Sequence, residues 1–233
     1  QNKKQEDKGQ NLADLIMSKM AAGDFENGDE LNISKSVASD LDAKVVDAYK
    51  KLGVVLKTYR SGKLPKAFKV IPMVANWEEL LFLTSPHKWS RHAVYEATKV
   101  FASNLNQKMA QRFYSLVLLP AVRENIAMYK KLAVQLYMAI KKSIFKTSAF
   151  FKGFLLPLAE DASAREAVIV GSILAKMSIN NLDSAAAIMK LLEMPYQVGS
   201  GYFLKTMIAK RYALPTQVIS ALVRYFIKYE SQT

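Results

Sequence analysis

The sequence predicts an all-α protein, an irregular HEAT-like α-solenoid of antiparallel helices, on three observations. Apolar residues recur at spacings of three and four, as on one face of a helix, and Ser or Asn followed three positions later by an acid opens several of those runs. No run alternates with the two-residue period of a half-buried strand. A chain of 233 residues with 51% hydrophobic composition is long enough to bury a large core.

The elements follow in order. Residues 1–38 read as an acidic, largely flexible segment with one short docking helix, and residues 39–233 as an all-helical domain. Leu12, Leu15, Ile16 and Met20 share one helical face, but three turns do not hold a helix in water, so this helix either packs on the body or docks on a partner. Residues 22–36 form an acidic linker. Ser39-Asp-Leu-Asp42 has the form of a capping box, and behind it Leu41, Val45, Ala48, Leu52, Val55 and Tyr59 mark a helix that Gly62 ends. Asn76-Trp-Glu-Glu79 and Ser163-Ala-Arg-Glu166 are further helix starts; Ser85-Pro86 places proline at a first helical position, and Pro120, Pro157 and Pro215 punctuate others. Residues 123–146 read as one amphipathic helix. Residues 184–194 are apolar on most sides, as in an inner helix, and Gly199-Ser-Gly201 reads as a connector. About ten to twelve helices result, joined by short loops that favour antiparallel neighbours, with no fixed-period repeat.

Charge is unevenly distributed along this scaffold. Residues 51–152 hold 18 Lys and Arg against four acids, whereas the first 50 residues hold seven Lys against ten acids. Like charges repel within a fold, so a basic field of this kind points to a polyanionic partner: RNA, DNA or an anionic membrane. On the predicted 123–146 helix, Arg123, Lys130, Lys131, Lys141, Lys142 and Lys146 share the outer side, opposite Ile126, Leu136, Ile140 and Ile144. A solvated face normally mixes signs; this one carries only Glu124 as an acid. A membrane-surface helix would need its apolar face free, and here the neighbouring helices need it as core. The loop 57–69 adds Lys57, Arg60, Lys63, Lys66 and Lys69, with Tyr59 and Phe68 placed to stack on an unpaired base. Trp77, Trp89, Phe150 and Phe151 read as core or interface anchors.

Chemistry-bearing patterns are sparse. The chain has no Cys, which excludes disulfides, thiolate zinc sites and thiol catalysis and fits a reducing compartment. His87 and His92 have no acid or further His at metal-ligand spacing. Gly199-Ser-Gly201 lacks the Lys-Ser/Thr of a phosphate loop, and Gly171-Ser172 falls inside a helical run rather than at a strand-to-helix elbow. Glu160, Asp161 and Glu166 are explained by capping and the helix dipole. The expectation is a non-enzymatic protein without cofactor, metal, small-molecule substrate or membrane span, the longest apolar runs being far short of the roughly 20 residues a span needs. The sequence opens at Gln1 with neither Met nor an apolar signal segment, as expected of a fragment.

Several stretches, in order along residues 50–220, carry a resemblance. They are Arg60-Ser-Gly-Lys-Leu-Pro-Lys-Ala-Phe-Lys69, Phe101-Ala-Ser-Asn104, Ala110-Gln-Arg-Phe-Tyr114 with Leu116-Val-Leu-Leu-Pro120, and Leu136-Tyr-Met-Ala139 before Lys141-Lys142. Phe151-Lys-Gly153, Arg165-Glu-Ala-Val-Ile-Val-Gly-Ser172 and Tyr212-Ala-Leu-Pro215 follow. In these the chain resembles the bystin family of eukaryotic ribosome-assembly factors. The resemblance implies a protein of the nucleus and nucleolus, with a late cytoplasmic stage, that joins the small-subunit processome and stays on the small-subunit precursor. It implies binding to precursor ribosomal RNA, to small-subunit ribosomal proteins and to assembly factors including the low-temperature-viability protein, with no enzymatic activity. It also implies a longer acidic N-terminal region and helices continuing past Thr233. The alternative is a helical protein-interaction scaffold, for example in a cell-adhesion complex, whose basic face meets acidic proteins.

Overall fold

The computed structural model describes residues 43–230, and among these every regular element is helical. The Ser39–Asp42 box and the Leu12, Leu15, Ile16 and Met20 face lie outside the described residues. Backbone packing separates two compact units, one of residues 43–56 with 62–86, the other of 57–61 with 87–230. None of the described helices is long and apolar enough to cross a membrane.

In the smaller unit, α1 (Ala43–Thr58) buries Leu52 and Leu56, whereas Val55, expected on the same stripe, is half exposed. Gly62, at φ 103, sits in the turn that follows. Residues 66–70 are helical rather than loop: α2 (Lys66–Val70) runs into a 3₁₀ turn (Ile71–Met73) at Pro72. Phe68 is fully buried there, so it is core and does not stack on a base. α3 (Trp77–Leu83) starts without a side-chain cap, because Asn76 at φ −88 and ψ 35 lacks the extended backbone from which a capping side chain reaches back. Trp77 is buried, as are Trp89, Phe150 and Phe151 in the other unit.

After a 3₁₀ turn (Pro86–Lys88), the larger unit begins its helices with α4 (Arg91–Asn104), which packs on α7 (Val134–Ser143). Between them, α5 (Gln107–Phe113) passes through a π-helical segment (Tyr114–Leu118) into α6 (Leu119–Tyr129). After α7, a 3₁₀ turn (Ile144–Lys146) and α8 (Thr147–Phe150) lead through a second π segment (Phe151–Leu155) into α9 (Leu156–Asp161). These two passages share a short pattern, which is not a fixed-period repeat. Phe113-Tyr-Ser-Leu-Val-Leu-Leu-Pro120 and Phe150-Phe-Lys-Gly-Phe-Leu-Leu-Pro157 have one pattern, thirty-seven residues apart. It recurs once over eight residues, too short a signal to stand out by periodicity.

The physics of the pair is shared. Proline in a helix lacks an N–H, and its ring strikes the carbonyl four residues back. Here the turn before each proline widens to i→i+5 bonding, the Leu119 N–H donating to Tyr114 O and the Leu156 N–H to Phe151 O, which relieves that clash within a continuous helix. The two segments pack on one another. Phe101 stacks on Phe113 with ring centroids 4.4 Å apart, and Phe150 on Phe154 at 5.3 Å. Where the first copy has Leu116 the second has Gly153, and any Cβ at Gly153 would overlap the Gln111 carbonyl.

α10 (Ala164–Lys176) opens on a complete capping box, Ser163 Oγ accepting from the Glu166 N–H at 3.3 Å while Glu166 Oε2 accepts from the Ser163 N–H at 2.8 Å. α11 (Asn181–Glu193) is one-sided, not apolar all round: Ala185, Ile188 and Leu191 are buried and Leu182 is exposed. Gly199 and Gly201 belong to the first turn of α12 (Val198–Ala209), because the Ser200 hydroxyl accepts the Gln197 N–H at 3.0 Å and starts the helix there. α12 packs on α10, and α13 (Thr216–Glu230) packs on α11.

Candidate nucleic-acid interface

The predicted 123–146 helix is two helices. α6 ends at Tyr129, and Lys130 takes the left-handed conformation at φ 58 while its N–H donates to Ile126 O at 2.9 Å. Buried Asn125 then accepts the Ala133 N–H through Oδ1 at 3.0 Å, closing the turn from which α7 starts. The six cations expected on one outer face are therefore divided. Arg123 is engaged: its Nη2 lies 2.7 Å from Asp161 Oδ1 and its Nε 3.2 Å from Glu166 Oε1. The hydrogen bond to Asp161 holds the guanidinium still more firmly in its charged form. Lys146 is engaged too, its ammonium donating to Leu105 O. Both tie helices together, Arg123 through two carboxylates and Lys146 through a backbone carbonyl.

Lys130 and Lys131 are exposed on the α6–α7 turn, and Lys141 and Lys142 lie in the last turn of α7. Cations there also complement the negative end of the helix dipole. Lys142 rests over the Phe145 ring at 5.1 Å. Among the described residues no carboxylate pairs with any of these four.

Beside the turn lies a cleft of about 670 Å³, lined by Lys57 to Arg60, Trp89 to His92, and Gln135. Local bonding builds it. Ser90, extended at φ −66 and ψ 155, caps α4 by accepting the Ala93 N–H at 3.1 Å, while its hydroxyl donates to Tyr59 O at 2.5 Å and pins the 59–60 turn to the helix start. Across the cleft the Gln135 amide nitrogen lies 3.0 Å from His92 Nε2, an arrangement in which the imidazole nitrogen accepts. The Arg91 guanidinium stacks on the Tyr129 ring at 4.6 Å, which joins the cleft to the Lys130–Lys131 turn. Among the described residues no acid lines the cleft.

Of the predicted cations, Lys57 and Arg60 line this cleft, Lys130 and Lys131 adjoin it, and Lys141 stands about 9 Å further along the α7 axis from Gln135 at the helical rise. Lys63, Lys66 and Lys69 are exposed in the smaller unit and do not line it. Sequence reasoning missed Arg91, His92 and Gln135. One signal was available: behind the Ser90 cap, Arg91 and His92 occupy first-turn positions where the helix dipole favours acids.

Among the described residues the cleft thus gathers Lys57, Arg60 and Arg91 with the His92–Gln135 pair. Comparison with known proteins agrees with the motifs read above. The bystin family model matches residues 6–233. The chain belongs to the bystin family. It is 50% identical over 222 residues to the bystin of Monosiga brevicollis, covering 94% of this chain and 53% of that relative. It is 50% identical to Nematostella vectensis bystin over 94% of this chain and 51% of the relative, and 48% identical to Homo sapiens bystin over 95% and 51%. The chain thus spans about half the length of the curated bystins it matches.

Proposed function

We propose that this bystin-family chain is a non-enzymatic ribosome-biogenesis factor that binds precursor ribosomal RNA and assembly factors, in the small-subunit processome and on the small-subunit precursor. The observation that carries the reading is the gathering of Lys57, Arg60, Arg91, Lys130 and Lys131 at one end of the larger unit, with no acid lining the cleft and no carboxylate paired to these side chains among the described residues. Cations held by neighbouring carboxylates cannot release counterions from RNA; unpaired ones can. The reading assigns the chain to nucleus and nucleolus with a late cytoplasmic stage. It assigns small-subunit ribosomal proteins and the low-temperature-viability protein as partners, and no turnover.

The test is gel shift of structured ribosomal RNA at two salt concentrations, with an acidic protein as competitor. Binding that weakens steeply with salt, by roughly 0.7–0.9 in log–log slope per phosphate neutralised, and resists the acidic protein is the expected result. Displacement by the acidic protein at equal charge concentration overturns it. One observation favours the protein-scaffold alternative: α13 leaves Val223, Phe226 and Ile227 more than half exposed, with Phe226 beside Tyr196 and Val198, a surface suited to a protein and not to phosphate.

A further inference from the structure

The cleft differs in kind from the lysines around it. Lys130, Lys131, Lys141 and Lys142 project from a turn and a helix end, where they can follow the backbone of any nucleic acid. The cleft is concave. Its volume of about 670 Å³ falls in the range of small-ligand sites, roughly 300–1,000 Å³. Lys57 and Arg60 come from the end of α1 and the turn behind it, Arg91 from the start of α4, so positive charge is contributed from two elements. With no acid among the lining residues, these charges repel until an anion enters. The start of α4, a helix of 14 residues, adds the positive end of its dipole on the same side.

The remaining lining groups suit a base better than a bare phosphate. Gln135 and His92 bring amide and imidazole hydrogen-bonding atoms, and Tyr59 and Trp89 bring aromatic surface. A phosphate alone would use only the cations. A duplex presents phosphates to a convex surface and keeps its bases stacked inside, whereas an unpaired nucleotide can turn its base into a cleft.

We infer that this cleft binds one unpaired nucleotide of RNA, its phosphate held among Lys57, Arg60 and Arg91 and its base against the His92–Gln135 side. The inference rests on the RNA-binding reading above and adds strand state to it. The cleft selects single strands; the outer lysines bind either form.

The experiment measures affinity of the full chain for a fluorescent ten-nucleotide single-stranded RNA and for the same strand annealed to its complement. Three proteins are compared: the natural sequence, Arg60→Ala/Arg91→Ala, and Gln135→Glu, which places a carboxylate in the cleft with almost no change of shape. Gln135→Glu is expected to lose single-strand affinity by about tenfold, the scale of losing one stacked base, with duplex affinity changed less than about twofold, and Arg60→Ala/Arg91→Ala to weaken both forms but the single strand by about tenfold more. Gln135→Glu keeps the test decisive if the double variant does not fold. Equal loss for single strand and duplex overturns the cleft as a nucleotide site and makes it part of the general basic field. Unchanged affinity for both also overturns it, and leaves the RNA reading standing. Binding of neither RNA by the natural sequence overturns both. Displacement of the single strand by a phosphoserine peptide at equal concentration assigns the cleft to a phosphoprotein instead and overturns the RNA nucleotide.

Discussion

The paired π-helical segments and the basic end beside them belong to one unit and are held by opposite means. Around Phe113–Pro120 and Phe150–Pro157, rings stack, backbones touch at Gly153, and the chain accommodates proline without breaking its helices. Around Lys57, Arg60, Arg91 and Lys130, the charges lack carboxylate partners among the described residues. What separates them is where the partner is. In the core, the packed rings and backbones find their complements inside the chain, so a change there costs folding. At the basic end the complement is external, so a change there costs binding.

The largest effect expected from breaking this contrast is at Gly153. A methyl there meets the Gln111 backbone carbonyl, which has no rotamer by which to withdraw. Gly153→Ala should destabilise by roughly 3 kcal/mol, about 6–12 °C in melting temperature. A melting temperature within 2 °C of the natural chain, on the order of the measurement's scatter, would sink the close-contact account.

Changing Lys130, Lys131, Lys141 and Lys142 together to Glu is the corresponding test at the basic end. RNA affinity at low salt should fall by at least about tenfold and the salt slope should become shallower, with helicity retained. Loss of the cooperative melt would place these lysines with the core instead.

Arg123 decides which side a cation belongs to. Arg123→Ala removes the partner of nearly buried Glu166 as well as of Asp161, and is expected to cost about 1–2 kcal/mol in stability while leaving RNA affinity within about twofold. A large loss of RNA affinity with unchanged melting would return Arg123 to the binding surface.

The smallest effect compares the two π segments directly. Tyr114 stands where the second copy has Phe151, and its buried hydroxyl has no hydrogen-bond partner among the described residues. Burial pushes the phenol well above its ordinary range. The folded chain keeps this proton where the unfolded chain, with a phenol near pH 10, loses it. The contribution is therefore complete below about pH 10 and declines as pH rises beyond it. Tyr114→Phe should leave neutral stability within about 1 kcal/mol and make the decline between roughly pH 10 and 11 shallower. Parallel alkaline melting curves for the two proteins would count against a buried neutral phenol.

These contrasts also mark what was legible in the sequence. Helical class and the Ser163 box follow from spacing that acts within a few residues, and both are observed. The break at Lys130 was not legible, since Lys-Lys-Leu-Ala contains neither Gly nor Pro and the turn is closed by Asn125 from the preceding helix. The availability of the cations was harder still. Arg123 is taken by carboxylates 38 and 43 residues away, and nothing in its own neighbourhood announces them. Lys57 and Arg60 were found because they cluster in sequence, whereas Arg91 and Gln135 join them only through the packing of α4 on α7.

An i→i+5 turn is arithmetically an α-helix with one residue inserted. Each π segment therefore shifts the reading phase of everything after it by about 100°, one residue's rotation about the axis. Ser115 and Lys152 sit inside these insertions, so removing either would return the segment to α geometry, with the following residues still on their face and proline's clash restored. Val122 and Ile126 would keep their place in the core in the first case, and Leu158 and Ala159 in the second. A single-residue deletion, which in a plain α-helix acts as a frameshift in packing, is here absorbed by the turn, and its cost falls on the proline.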